Sequence, residues 1–246
     1  MVGETVIGPY VRYADAALAE ILCQTGYDFL LFDSEHAPIE DRDCENLARV
    51  CEMKGITSIS RVPTNQTWMI SRRLDTGIEG LLIPMVNSAA EAEAAIRAAK
   101  YAPQGIRGLA GARAANYGMT PGFHYADHVR SCNEQTLMIL QVETQQSIDA
   151  LPEIVKVPGV DVIFIGPTDL SLSLGYPGNP EHPEVQAAFQ KITDIVLASG
   201  KALGILSVSA ESTLEWRRRG ARFFLSVFEA VMVPAIRTYL EKSRGE

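Results

Sequence analysis

Short apolar segments alternate with longer amphipathic segments along the whole chain. Eight of the apolar segments are rich in β-branched and aromatic residues, and turn residues bound most of them, as expected for parallel strands covered on both faces. They read TVIGPYV, DFLLFDS, TSISRVP, GLLIPMV, LMILQVE, VDVIFIG, ALGILSV and RFFLSVF. The segments between them have helical periodicity, and many end at glycine, a common residue just beyond a helix. The pattern therefore predicts eight strand–helix units.

Eight such units in 246 residues have the size of a (β/α)₈ barrel. We therefore expect an α/β TIM barrel in which residues 1–246 form a single domain, because no linker or change of composition divides the chain. A doubly wound sheet is the alternative fold. It would normally have fewer strands, and a dinucleotide-binding version would carry G-x-G-x-x-G after the first strand, where this chain reads IGPYVRYAD.

One irregular segment interrupts the alternation between the fourth predicted helix and the fifth predicted strand. It reads APQGIRGLAGARAANYGMTPGFHYADHV, and its loop extends over about residues 102–123. Loops of this length inside a compact domain usually have a function. We therefore expect a lid over the site or a contact between subunits.

The composition excludes several classes of protein. Hydrophobic residues make up 47% and charged residues 21%, and no apolar run approaches the roughly 18 residues of a membrane span. The net charge of −8 repels nucleic acid, and no basic block offsets it. The opening sequence MVGETVIGPY lacks the pattern of an export signal, so we expect a cytoplasmic protein. The four cysteines form no C-x-x-C pair and are expected to be reduced.

Ionisable and amide side chains fall at the C-terminal ends of the predicted strands, where TIM barrels carry their active sites. They are Asp33, Glu35 and His36 at the second strand, Arg61 at the third, Gln141 and Glu143 at the fifth and Asp169 after the sixth. The N-terminal ends of the strands carry few such residues. We therefore expect a polar site with several carboxylates at one mouth of the barrel.

Each of these residues also has a purely structural interpretation when it is taken alone. Asp33 suits a loop cap, Asp169 suits the N-cap of a short helix, and Arg61 suits a charge at a strand end. Glu143 is harder to explain in this way, because it ends a buried strand and needs a partner there. The coincidence of all four at one mouth favours a functional site.

The residue types indicate the chemistry of that site. Glu143 and Asp169 offer only oxygen ligands, a set that suits Mg²⁺ or Mn²⁺ with water and substrate oxygens completing an octahedron. The backbone N–H groups of GPTD, residues 166–169, suit a substrate carboxylate at a helix start. Arg61 adds a fixed positive charge, and His36 is the one base among these residues for neutral pH. The set indicates a site for a small oxo-acid.

The remaining histidines do not extend this site. His124 and His128 have the i, i+4 spacing of helical metal ligands, but Tyr125 stands where a zinc peptidase carries Glu, and no third ligand follows. His182 is expected to lead into a helix that starts at Pro183.

Several of these stretches together resemble the HpcH/HpaI family of class II, metal-dependent pyruvate aldolases, also called hydroxy-ketoacid aldolases. The resemblance covers most of the chain and is carried by YDFLLFDSEHAP, SRVP, LDTGIEGLLIPMV, AAKYAPQGIRG, LQVET and GVDVIFIGPTDLSLSLGYPGNPEHPEV. It implies a (β/α)₈ barrel, commonly assembled as a homo-hexamer in which neighbours exchange the last helix. It also implies Mg²⁺ or Mn²⁺, with Co²⁺ as a further candidate, and no organic cofactor.

The resemblance also implies roles for individual residues. Glu143 and Asp169 match the metal ligands, and Arg61 matches the arginine that stabilises the transition state. His36 matches the catalytic base, which works through a water of the metal. Substrate contacts are implied for Arg61, Gln141, Gly166, Pro167, Thr168 and Asp169.

Two further acids have implied supporting roles. Asp33 matches an acid beside the waters of the metal. Asp75 matches an acid that makes the histidine more basic and that an adjacent subunit supplies. The resemblance assigns no role to Glu35, the third charged residue of DSEH.

The implied reaction is the reversible aldol cleavage of a 4-hydroxy-2-oxo acid to pyruvate and an aldehyde. A Schiff-base aldolase would use a lysine instead of a metal, but none of the six lysines ends a predicted strand. A related lyase would act on another oxo-acid or on an acyl-CoA ester, although the chain shows no extended basic rim for a nucleotide. The last alternative is a non-catalytic barrel that binds oxo-acids or serves as an assembly unit.

Overall fold

Eight parallel strands form the barrel in the computed structural model of this chain, which describes residues 4–245. They are β1 Val6–Val11, β2 Phe29–Asp33, β3 Thr57–Arg61, β4 Gly80–Ile83, β5 Leu137–Val142, β6 Val162–Ile165, β7 Ala202–Ser207 and β8 Phe223–Val227. Each strand pairs with the next along the sequence, and β8 pairs with β1 to close the barrel. The predicted TIM barrel and its eight strands are confirmed.

Helices connect the strands around the outside of the barrel. They are α1 Ala16–Leu22, α2 Asp41–Lys54, α3 Thr67–Asp75, α4 Ala89–Ala99, α5 Tyr125–Gln135, α6 Gln145–Ile154, α7 Pro167–Ser173, α8 Pro183–Ser199, α9 Ala210–Arg218 and α10 Phe228–Arg244. Several begin at a polar residue whose side chain accepts a backbone N–H of the first turn, namely Asp15, Ser88, Thr144 and Ser209. Within residues 4–245, every helix is too short or too polar to cross a lipid bilayer.

The sequence prediction was wrong for the start of α5. Residues 125–129 belong to this helix, although they were assigned to the irregular segment. None of the side chains of α5 is buried, so the sequence lacks the apolar stripe by which a helix is recognised. The part of the segment that precedes α5 contains a short 3₁₀ turn, Arg113–Gly118, and is otherwise without regular structure.

Alternate residues of each strand point into the barrel or out towards the helices. The inward residues form their own apolar core, which comprises Phe29, Leu31, Ile59, Leu82, Ile139, Val162, Phe164, Phe223 and Leu225. The outward residues pack beneath the helices in a second, larger core. Because both faces are covered, the strands read as almost continuous apolar runs, as the sequence suggested.

The same alternation decides what lines the mouth. On β1, β2, β3 and β5 the inward series continues beyond the apolar core to Tyr10, Asp33, Arg61 and Gln141. Their polar side chains therefore lie at the C-terminal end of the barrel interior because of their register.

The cysteines are free thiols, and Cys44 and Cys51 are buried in the outer core. Their predicted reduced state agrees with the structure. Burial raises the pKa of the Cys51 thiol, which keeps it protonated and unreactive at neutral pH.

The loop at 102–123 lies at the opposite end of its own barrel from the mouth. Arg107 pairs with Asp75 at the end of α3, at 2.7 Å, and Arg113 pairs with Glu52 near the end of α2. Both arginines border a cavity of about 390 Å³ that also reaches Thr57, at the start of β3. The loop therefore does not cover the mouth of its own barrel, and its contact with a neighbouring subunit stays a prediction.

Close packing inside the barrel gives a prediction for stability. A Cβ atom at Gly8 would lie 2.6 Å from the carbonyl oxygen of Phe29 and closer still to its ring, so Gly8→Ala overpacks the interior. We expect a loss of about 1–3 kcal/mol and a lower thermal midpoint at fixed protein concentration. Gly108→Ala is the matched control, because no atom of residues 4–245 lies within 4 Å of its added Cβ. Equal midpoints for the two variants would contradict this packing.

Candidate active site

The mouth of the barrel encloses a cavity of about 270 Å³. It is lined by most of the residues predicted for the site, namely Asp33, His36, Arg61, Gln141 and the turn of residues 166–169. Glu143 lies beside this cavity, buried at the end of β5. The structure thus brings together every predicted site residue except Asp75.

Arg61 is held in place from three sides. Its Nε donates to Asp33 Oδ1 at 2.8 Å, its Nη1 lies 3.0 Å from Glu35 Oε2, and its Nη2 contacts the Tyr10 hydroxyl. The guanidinium also stands over the Tyr10 ring, 5.0 Å from its centroid. Burial lowers the pKa of Arg61 to about 10, so the group stays charged at neutral pH. The result is a fixed cation that faces the cavity.

Asp33 organises the turn that follows β2. Its Oδ1 accepts the backbone N–H of Glu35 at 3.0 Å and that of His36 at 3.4 Å, besides the bond from Arg61. Its Oδ2 accepts the Tyr10 hydroxyl at 2.7 Å. Through these contacts Asp33 connects the backbone of His36, the predicted base, to the Arg61 cation. The role of Asp33 beside a water of the metal stays a prediction.

The Glu143 carboxylate is oriented by a backbone N–H group whose position could not be predicted from the sequence. Its Oε1 accepts the N–H of Met85 at 2.7 Å, and its Oε2 accepts the side-chain amide of Gln141. Met85 has a φ of +54°, a left-handed conformation that costs a non-glycine residue free energy. No residue type in this segment predicts that conformation. Burial raises the pKa of Glu143, and the two donors offset this effect in part.

Gly166 lies between β6 and α7, and its lack of a side chain allows β5, β6 and α7 to approach each other closely. A Cβ atom at this position would lie 2.8 Å from Gln141 Nε2 and 2.9 Å from Glu143 Oε2. Any side chain at position 166 would therefore displace the carboxylate or the amide. The sequence placed Gly166 in the site, but this packing requirement is visible only in the structure.

Carboxylates outnumber cations at the mouth. Burial and the nearby Glu143, Asp33 and Asp169 raise the pKa of Glu35 to about 8. Burial and these neighbouring carboxylates therefore disfavour the charged form of Glu35, although Arg61 lies beside it. A bound divalent cation would relieve this repulsion, so the charges of the site fit a metal ion.

The ligand set also fits a metal that keeps water. Within the described part of the chain, no group of three or more His, Cys, Asp or Glu side chains is arranged to hold a metal ion. The predicted set has only two protein ligands, Glu143 and Asp169, and both are carboxylates. Mg²⁺ and Mn²⁺ accept such sets because water and substrate oxygens complete their coordination.

Of the described histidines, His36 lies at the mouth and His128 and His182 do not, as the sequence suggested. His36 is exposed and lines the cavity. His128 packs on α5 against Cys132 and the Tyr101 hydroxyl, the latter at 3.4 Å, away from the mouth. His182 accepts the N–H of Glu184 and begins α8, which confirms its interpretation as a helix lead-in.

Asp75 is the one predicted residue that does not reach the mouth of its own chain. It ends α3 and pairs with Arg107 at the opposite end of the barrel. Its carboxylate can therefore approach a His36 only if that histidine belongs to another subunit. This placement agrees with the expected supply from a neighbour, which stays a prediction.

Two polar residues of the mouth were not predicted from the sequence, Tyr10 and Arg12. Both stand at the C-terminal end of the first strand, in PYVRY. They share with the other site residues the signal that the sequence offers, a polar side chain at the C-terminal end of a strand.

The chain matches the family model described as HpcH/HpaI aldolase/citrate lyase over residues 7–233. It is 41% identical over 223 residues to a 4-hydroxy-2-oxovalerate aldolase from Rhodococcus jostii, covering 90% of this chain and 84% of that relative. It is 38% identical over 223 residues to a 4-hydroxy-2-oxo-heptane-1,7-dioate aldolase from Escherichia coli, covering 90% and 83%. A crystal structure of an HpcH/HpaI aldolase/citrate lyase family protein from Burkholderia cenocepacia has a TM-score of 0.91 and 32% identity, covering 98% of this chain and 95% of that chain.

The contacts of Gly166 give a prediction for metal binding. Gly166→Ala pushes against the Glu143 carboxylate, so we expect Mn²⁺ to bind about 10- to 100-fold more weakly in a calorimetric titration. Gly108→Ala, whose added Cβ has no described residue within 4 Å, should bind Mn²⁺ as the unmodified chain does. An unchanged Mn²⁺ affinity in Gly166→Ala would show that Glu143 does not hold the ion.

Proposed function

Because this chain belongs to the HpcH/HpaI aldolase/citrate lyase family, we propose that it is a metal-dependent aldolase. It reversibly cleaves a 4-hydroxy-2-oxo acid to pyruvate and an aldehyde. The observation that carries this proposal is the fixed Arg61 cation, which shares one cavity with His36 and Asp169 beside the buried Glu143. The two curated relatives are named for different oxo-acids, one of them a dioate, so family membership alone does not identify the aldehyde.

The pyruvyl half of the substrate fits the side of the cavity formed by β5 and the start of α7. The N–H groups of Thr168 and Asp169 lie in the first turn of α7 and have no acceptor within the helix, so they suit the substrate carboxylate. Gln141 Oε1 is buried without a partner among the described residues. It is available to a donor of the bound substrate or its water.

Glu143 and Asp169 would hold a divalent metal, which when bound supplies an electrophile for the 2-oxo group. His36 removes the proton of the 4-hydroxyl, and the C3–C4 bond breaks to release the aldehyde. The electron pair of that bond passes into the enolate of pyruvate, which takes up a proton at C3. Arg61 stabilises the negative charge that gathers on the enolate oxygen.

The lysines give no support to a Schiff-base mechanism. Within residues 4–245, no lysine lines the mouth cavity. Lys100 is buried, but its Nζ donates to the carbonyl groups of Asn133 and Thr136, which lie at the end of α5 and just before β5. Burial lowers the pKa of Lys100, yet both carbonyl groups hold it far from the catalytic end.

We further propose a homo-hexamer with an exchanged last helix, located in the cytoplasm. The structure supports an assembly because α10 has no buried residue in the single chain, while Val231, Ile236 and Tyr239 on it are each about half exposed or more. Asp75 lies at the opposite end of its own barrel, so it can reach a mouth only in such an assembly. The ion that we propose is Mg²⁺ or Mn²⁺, with Co²⁺ as a further candidate.

Replacing Arg61 tests the transition-state role. Arg61→Lys keeps a positive charge but cannot reach Asp33, Glu35 and Tyr10 together, so we expect kcat for cleavage to fall by about 10²- to 10³-fold. Arg61→Ala is less informative, because it leaves the Asp33 carboxylate buried without its cation, at a cost of about 3–5 kcal/mol. Arg72→Lys, on the exposed face of α3, is the matched control. Unchanged kcat in Arg61→Lys would contradict the assignment of Arg61 as the residue that stabilises the transition state.

Metal removal tests the class of mechanism. We expect EDTA to abolish pyruvate release from a 4-hydroxy-2-oxo acid, and Mg²⁺, Mn²⁺ or Co²⁺ to restore it. Borohydride should not trap pyruvate on the chain, and an acyl-CoA ester should not be cleaved. Full activity in EDTA together with borohydride trapping would favour the Schiff-base alternative, and pyruvate binding without any turnover would favour the non-catalytic one.

A further inference from the structure

Arg12 is a second cation of the mouth, and the proposed reaction leaves it without a role. It follows β1 directly, and the alternation of that strand places it on the same side as Tyr10. It lines the mouth cavity together with Leu206 and Val227. Its side chain is 43% exposed, so a molecule that enters the cavity can reach it.

The guanidinium of Arg12 is held by one ion pair, which involves one of its nitrogen atoms. Its Nη2 lies 3.0 Å from Glu229 Oε1, an oxygen that also accepts the Tyr13 hydroxyl at 2.8 Å. Glu229 stands in the first turn of α10, directly after β8. Arginine carries five N–H donors in a rigid fork, and the described residues offer those of Arg12 no other acceptor. The guanidinium is therefore positioned while most of its donors remain free.

Arg12 differs from Arg61 in its availability. Arg61 is buried and engaged by Asp33, Glu35 and Tyr10. Among the described residues that line the cavity, Arg12 is the one cation open to solvent. An anionic group that approaches the carboxylates of the mouth is repelled unless a cation receives it, and Arg12 stands where it can do so.

The two halves of the substrate determine which group meets Arg12. In the proposed binding mode the pyruvyl half lies by β5 and α7, which leaves the space past His36 to the aldehyde half. The remaining lining of the cavity is Tyr10, Phe164, Leu206 and Val227 with Arg12, that is, a mainly apolar wall with one charged end. This arrangement suits an aldehyde with a short carbon chain and a terminal anion.

We propose that Arg12 forms a subsite for a carboxylate or phosphate at the far end of the aldehyde. The preferred substrates are then 4-hydroxy-2-oxo acids with a second anionic group. The inference rests on the proposed aldolase function and names the substrate class of the same site. Glu229 and Tyr13 position the guanidinium.

The test is the ratio of kcat/KM for a charged and an uncharged aldehyde in condensation with pyruvate. Succinic semialdehyde is compared with butanal, and glyceraldehyde 3-phosphate with glyceraldehyde, which distinguishes a carboxylate from a phosphate. We expect Arg12→Gln to lower at least one of these ratios by 10-fold or more, which corresponds to the loss of one charge-assisted contact. Arg12→Lys should retain part of the preference.

Arg217→Gln is the matched control, because it removes the same charge from an exposed position on α9. It should leave both ratios unchanged. A ratio measured on one preparation does not depend on the folded fraction, so reduced stability of Arg12→Gln cannot imitate the effect. The subsite is overturned if both ratios in Arg12→Gln equal those of the unmodified chain. This includes the case in which kcat/KM falls equally for charged and uncharged aldehydes.

The same assay separates this inference from the proposed function. If the unmodified chain condenses pyruvate with none of the four aldehydes in the presence of Mg²⁺ and Mn²⁺, the aldolase proposal fails. If it uses uncharged aldehydes well, shows no preference for an anion and does not respond to Arg12→Gln, only the Arg12 subsite fails.

Discussion

Asp33 and Arg61 are direct register partners across the β2–β3 ladder, and both side chains are almost completely buried. Leaving either charge alone in this environment would cost about 3–5 kcal/mol, so the two residues must stay together. The remaining acceptor sites of Asp33 bind Tyr10 and the backbone of Glu35 and His36. One buried pair therefore fixes the position of the cation and the turn that carries the base.

The electrostatics of the mouth follow from that pair. Arg61 is shared by Asp33 and Glu35, while within residues 4–245 neither Glu143 nor Asp169 forms a salt bridge. In a buried site this excess of carboxylates raises the pKa of Glu35 and favours a divalent cation between protein and substrate. The chemistry proposed for the enzyme would use this arrangement, because Arg61 faces the cavity and Glu143 and Asp169 would hold a metal that supplies a second positive charge for the enolate.

Much of this could be predicted from the sequence because two simple periodicities encode it. Apolar runs of strand length mark the barrel, and the fold then dictates that strand ends meet at one mouth, so Asp33, Arg61 and Gln141 were placed correctly. The conformation of Met85 and the contacts of Gly166 could not be predicted, since they depend on how close two strands and a helix approach each other. The helix α5 was misjudged because it buries no side chain. Asp75 could be placed at a mouth only by resemblance, because in the single chain it lies at the other end of the barrel.

Exchange of the methyl protons of pyruvate in deuterium oxide tests the central claim most directly, because it requires the enolate and no aldehyde. NMR would follow the exchange with Mg²⁺ and with EDTA, for the unmodified chain and for Arg61→Lys. The account predicts exchange by the unmodified chain with Mg²⁺, and a rate at least about 100-fold lower in EDTA and in Arg61→Lys. Exchange at the full rate in EDTA or in Arg61→Lys would contradict the assignment of this mouth as a metal-dependent site that stabilises an enolate.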